Sequence, residues 1–165
     1  MAARVNRLQL VALIVVLVAA DQWTKQLARQ YLPLHHRDYA GGLLSLTYAE
    51  NEGAFLSMGS TLPPAVRTAV FSLGVLIAVG IALFVVFTGR VHGFDAVAVA
   101  MIGGGGIGNL IDRLTRGGRV TDFLFMELGP LHTGVFNVAD MAITGGVIWL
   151  LVASFLPKKE RDSPV

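Results

Sequence analysis

No cysteine occurs in this chain of 165 residues, which excludes a disulfide framework, a thiol nucleophile and a thiolate metal site. Charge is scarce as well: 15% of the residues are Asp, Glu, Lys or Arg, against 54% hydrophobic. Soluble domains carry about 25% charged residues, so this balance describes a single membrane domain over residues 1–165. The net charge is +2 and the basic residues are scattered, leaving no stripe for nucleic acid, and no nucleic-acid partner is expected. HExxH is missing, and His35, His36, His92 and His132 read as loop residues, which argues against zinc. Any site must be built from oxygen and nitrogen groups.

What the chain does have is apolar length. A spanning helix needs roughly 20 residues, and four segments meet that need, at about 8–28, 67–88, 94–112 and 136–156, with loops at about 29–66 and 113–135. Residues 68–88 contain no charge, whereas 96–111 lie between Asp95 and Asp112, and 141–156 follow Asp140. Residues 8–20 end at Asp21 and span only if "DQWTKQLA" continues the helix. With Arg4 and Arg7 before them and Val18 and Ala20 at their end, they also fit a cleavable secretory signal. Against cleavage, "DQWTKQLARQYL" keeps helical spacing with Trp23 as an interfacial aromatic, and three further spans follow.

Four spans place the end of helix 1, both long loops, the end of helix 3 and the start of helix 4 on one side of the membrane. Nearly every unusual residue falls there: Asp21 and Lys25, "NEGAF" (51–55), "GNLIDR" (108–113), "RVTDF" (119–123) and "FNVAD" (136–140). The opposite side holds six of the thirteen basic residues, Arg4, Arg7, Arg90, Lys158, Lys159 and Arg161, in short segments beside span ends. By the positive-inside rule both termini are then cytoplasmic and the polar clusters face outwards. Residues 43–51 and 119–128 favour strands, are bounded by glycine pairs at 41–42 and 117–118, and form a small sheet over the helix ends. Pro63 and Pro64 stop local structure before helix 2.

Asn109 with Asp112, and Asn137 with Asp140, sit three residues apart, so each pair projects from one helical face. Each acid has a plain structural alternative: Asp112 paired with Arg113, Asp140 complementing its helix dipole, Asp122 exposed in a loop. Four acids and three amides at one depth of a small bundle are harder to explain that way. Two carboxylates brought close divide into one that holds a proton and one that does not. Such a pair activates water against an amide without a metal or a side-chain nucleophile. An acid-only Mg²⁺ or Ca²⁺ site is the other chemistry open to them. "GGGGIG" (103–108) satisfies G-x-G-x-x-G but lies inside a span, so it is not a dinucleotide loop. Its Gly104 and Gly108 satisfy G-x-x-x-G, which lets helices approach closely and brings the polar ends of helices 3 and 4 together.

In this order on four spans, "DQWTK", "NEGAF", "GGGGIGNLIDR", "RVTDF" and "FNVAD" resemble lipoprotein signal peptidase, also called signal peptidase II. The likeness runs from Asp21 to Asp140. It implies an α-helical membrane protein with four transmembrane helices, an extracytoplasmic β-cradle formed by the loops, and a short amphipathic helix. The implied activity is that of an aspartyl endopeptidase of the bacterial inner membrane. It removes the signal peptide of prolipoproteins just before the cysteine carrying diacylglyceryl, with no cofactor and no metal. Membrane lipid and these prolipoproteins would be its partners, and it would act as a monomer. By motif the catalytic pair falls on Asp122 and Asp140. Asn51, Gly53, Asn109, Arg113 and Asn137 match residues lining the binding site, and Asp21, Lys25 and Asp112 match structural polar positions. Thr121 departs from the family pattern, where an aliphatic residue usually precedes the second-loop acid, and "NEGAFLS" departs beside the first-loop motif. The residues alone leave three other classes open: a small proton-coupled transporter, a metal-dependent lipid-modifying enzyme and a structural subunit.

Overall fold

The structure, a computed structural model, describes residues 6–52 and 63–156. Gly53 and the rest of "NEGAF" after Glu52, with Arg4, Lys158, Lys159 and Arg161, lie outside the described residues. Four long helices carry the chain: α1 (Arg7–Tyr31), α2 (Pro64–Thr88), α3 (Gly93–Thr115) and α4 (Val138–Phe155). All four are long and apolar enough to cross a membrane. Helix α1 continues without a break through Asp21, and Asn6 starts it in a reciprocal capping box with Gln9. Helix α2 begins after Pro63, which cannot donate and is tolerated at a helix start, and ends at Gly89, whose φ of 68° favours a residue without a Cβ.

The packing is that of a membrane protein turned towards lipid. Val16, Leu73, Phe84, Ile148 and Leu151 are all more than half exposed on the outer faces of the bundle. The largest fully buried side chains are instead Lys25, Asn137, Thr121, Asp21, Asp112 and Asp122. In water this pattern would be inverted; in lipid, apolar side chains need no burial and polar ones must find partners inside. Helix α3 is the hub, with 61% of its most apolar window buried against 17–22% for the others.

The glycines of α3 explain that central place. A Cβ at Gly105 would overlap the Ala139 carbonyl of α4, one at Gly106 would meet Val79 of α2, and one at Gly108 would meet Asp21 of α1. The run thus admits three neighbours at once. The G-x-x-x-G pair itself, Gly104 and Gly108, faces α1 through Leu17 and Asp21, and it is Gly105 that lets α4 in. The division follows from the helical repeat, since adjacent glycines point about 100° apart.

Over one end of the bundle lies a four-stranded antiparallel sheet in the order β1 (Arg37–Tyr39), β2 (Leu44–Asn51), β3 (Val120–Leu128) and β4 (Leu131–His132). Its two long strands match the strand-favouring loops, while β1 and β4 are too short to show a pattern in sequence, and His132 sits in β4 rather than in a loop. Strand β2 shifts register between Leu46 and Ala49, which sets Ala49 opposite Asp122 and Asn51 opposite Val120. No short amphipathic helix beyond the four long ones occurs among the described residues.

Candidate active site

Strand β3 of the sheet meets the segment leading into α4. The chain entering α4 runs beside β3: Phe136 N–H donates to the Leu124 carbonyl at 2.8 Å, and Leu124 N–H donates back to Phe136 at 2.8 Å. This pairing delivers the next residue, Asn137, to Asp122, and its side-chain Nδ2 donates to Asp122 Oδ1 at 2.7 Å. Asn137 is also the N-cap of α4. Its Oδ1 accepts from the backbone N–H of Asp140 at 2.9 Å, and its own N–H donates to Asp140 Oδ2 at 3.2 Å. One asparagine therefore touches both acids.

The second oxygen of each acid has a separate donor. Asn51 lies diagonally across the β2–β3 pairing, two residues from the position opposite Asp122, and its Nδ2 reaches Asp122 Oδ2 at 3.1 Å. Asn109, on α3, donates from Nδ2 to Asp140 Oδ1 at 2.8 Å. Asp122 is 2% exposed, not the open loop carboxylate its local sequence allows, and Asp140 is half-buried. Burial, followed by the charge of Asp140, pushes the Asp122 carboxyl up to about 6, against the opposing hydrogen bonds from Asn51 and Asn137. Arg113 lies in the field of Asp140, Asp122 and Asp112. Its Nη1 donates to the Asn109 carbonyl at 3.4 Å, and its Nε is buried without a hydrogen-bond partner among the described residues.

Behind this pair stands a buried ion cluster between α1 and α3. The Lys25 ammonium, 0% exposed, contacts Asp21 Oδ2 at 2.8 Å, Asp112 Oδ2 at 3.5 Å and Asn109 Oδ1 at 2.8 Å. The buried ammonium is thus matched by two carboxylates and an amide oxygen, as its burial requires. Asp112 does not pair with Arg113 as its neighbour in sequence invites; it faces α1, where Arg29 lies 3.7 Å away, and accepts from the Thr121 backbone N–H at 2.9 Å. Asp21 accepts from the Ala139 N–H at 3.0 Å, tying α1 to the first turn of α4.

Three residues of this assembly were not among those singled out from sequence. Arg29 donates to Thr121 Oγ1 at 3.1 Å, and Gln22 Nε2 bonds the Gly108 carbonyl at 3.0 Å. Thr121, fully buried, is held at its N–H, its hydroxyl and its carbonyl, where it accepts from Asn137. A signal for Arg29 was present: Asp21, Lys25 and Arg29 recur every four residues, one face of a helix. Thr121 stands out in sequence only as a departure from the family pattern, and nothing there marks it as an anchor, since its partners come from three other elements. Ten residues were singled out, and the structure brings nine of them together; Gly53 is outside the described residues. Among the described residues no three histidine or acidic side chains are grouped to hold a metal ion.

Comparison with known proteins bears on the same region. Residues 13–156 match the family model for signal peptidase (SPase) II. The lipoprotein signal peptidase of Deinococcus radiodurans is 36% identical over 165 aligned residues, covering 93% of this chain and 82% of that one. That of Chlorobium phaeovibrioides is 38% identical, covering 85% and 86%. A solved bacterial membrane enzyme superposes with a TM-score of 0.80 at 24% identity, over 93% of this chain and 92% of its own, a likeness of fold. Four apolar helices, a sheet closing one end and a family match across nearly all of them give one conclusion: the chain belongs to the signal peptidase II family.

Proposed function

We propose that this chain is an aspartic endopeptidase that cleaves the signal peptide from diacylglyceryl-modified prolipoproteins, just before the lipidated cysteine, with Asp122 and Asp140 as its catalytic pair. The observation that carries the reading is Asn137, which bonds both carboxyls at the polar end of an otherwise apolar bundle. The ionised member takes a proton from water as the water oxygen attacks the scissile carbonyl. The protonated member donates to the developing oxyanion, and the proton taken from water passes to the leaving amine. Each general acid or base step contributes roughly 10²–10⁴-fold.

Asn51 and Asn109 each hold one oxygen of the pair, and Arg113, beside both acids, lines the binding side. By motif, Gly53 belongs to the same set of binding residues. The reaction uses neither metal nor cofactor. The signal peptide lies in the lipid against the bundle, its scissile bond meeting the acids at the membrane interface. Both termini are cytoplasmic, the acids face the extracytoplasmic side of a bacterial inner membrane, and the monomer is sufficient.

Purified protein in detergent, given a diacylglyceryl-modified prolipoprotein with and without EDTA, tests this. Cleavage before the lipidated cysteine that survives EDTA and vanishes in Asp140→Asn is expected. Inhibition by EDTA, or unchanged turnover by the variant, would overturn the mechanism.

A further inference from the structure

The geometry points to Lys25 as a positioning residue for Asp140, acting through the amide of Asn109; the inference rests on the peptidase reading above. An ammonium is a donor with no acceptor. Buried at 2.8 Å from Asn109, Lys25 can only face the oxygen of that amide. The nitrogen end must then point the opposite way, where it meets Asp140 Oδ1 at 2.8 Å. A reversed amide would set NH₂ against the ammonium and its oxygen against the carboxylate, two repulsive contacts in a site shielded from water.

Two further contacts reinforce the direction. Asn137 Nδ2 donates to the same Asn109 oxygen at 3.2 Å, and the Asn137 N–H holds the other oxygen of Asp140 at 3.2 Å. Both oxygens of Asp140 are thereby fixed, one through a chain that starts on α1. Lys25 cannot swing away, because Asp21, one turn before it, holds the ammonium at 2.8 Å. Neutralising Asp21 and Asp112 would be a structural task. Choosing which end of Asn109 faces Asp140 is a catalytic one, since a small misplacement of a reacting group lowers turnover by about 100-fold.

The test separates the two tasks. Lys25→Met alone would strand buried carboxylates, so it is made together with Asp21→Asn, which removes both charges of that pair and keeps an oxygen for the Ala139 N–H. Against Asp21→Asn as reference, kcat for the lipidated prolipoprotein should fall about 100-fold with KM little changed and the thermal transition retained. Adding Asn109→Ala should then cause little further loss, because both changes break one chain of contacts. Losses that multiply, or a folded double variant with the kcat of its reference, would overturn the role of Lys25 while leaving the peptidase reading intact. Absence of cleavage by the unaltered protein would instead sink that reading. Should Lys25→Met prevent folding, Asn109→Asp carries the test: it strengthens the bond to Lys25 but removes the donor to Asp140, and full kcat in that variant would refute the inference.

Discussion

Asn137 Nδ2 lies 2.7 Å from Asp122 Oδ1, joining the first residue before α4 to the third residue of β3, fifteen positions earlier. The bond exists because the Phe136–Leu124 pairing lays the chain along β3 before the helix starts. The same side chain caps α4, so one residue couples the start of a helix to a buried acid. That coupling can be taken apart by mutation. Asn137→Ala should lose the cap, about 1 kcal/mol of stability, together with cleavage. Asn137→Ser restores a capping oxygen but has no amide to offer Asp122, so its thermal transition should recover while its turnover does not.

The acids themselves should behave as a pair. Asp122→Asn and Asp140→Asn are each expected to lower kcat by 10²-fold or more, in line with the loss of one acid–base step of roughly 10²–10⁴. Since an amide keeps the shape of the carboxylate and one oxygen for a neighbouring donor, both variants should elute and melt as folded proteins. Prolipoprotein turnover with thermal melting on the same preparations checks this, and normal turnover by either variant would refute the pair.

Acidity gives a further handle. The folded Asp122 carboxyl is raised from its ordinary 3.8 to about 6, so the native state binds its proton more tightly than the unfolded chain does. By linkage, this group stabilises the fold relatively at low pH, fully below about 4, and the contribution is lost as pH rises through about 6. Melting temperature measured from pH 4 to pH 8 should fall as pH rises towards about 6 and level off above it, a fall that Asp122→Asn removes. Cleavage should decline over the same interval as the pair loses its shared proton, the transition belonging to the pair rather than to one residue. A flat melting profile in the unaltered protein would contradict the assignment.

Close approach along α3 predicts a graded response to a single methyl group. Gly105→Ala would push against the Ala139 backbone and Gly108→Ala would set a Cβ 2.5 Å from Asp21 Oδ2, overpacking that typically costs 1–3 kcal/mol. Gly74 and Gly80 of α2 have open space where a Cβ would go, so alanine there should be neutral or mildly stabilising through helix propensity. Thermal melting of the four variants tests the contrast. Gly105→Ala should also reduce turnover, because it moves α4 and with it Asp140.

What the sequence determined by itself was the set of local periods. Four apolar runs of spanning length, the strand-like stretches 43–51 and 119–128, and the three-residue spacing of Asn109–Asp112 and Asn137–Asp140 follow from helix and strand geometry within one segment. Span parity then gathered the polar clusters at one end of the bundle, because a chain crossing a bilayer must alternate sides. The ion partners were another matter. Asp112 chose Lys25 and Arg29 over its neighbour Arg113, Asp122 went from a loop to 2% exposure, and Thr121 became a triple anchor. Each outcome depends on a register shift in β2, on the direction of a particular glycine in α3, or on the strand-like path into α4. Those features bring together residues up to 118 positions apart, as in Asp21 and Ala139. Pairing at that range is decided by which arrangement leaves no buried donor, acceptor or charge alone, a condition that only the assembled bundle and sheet can satisfy.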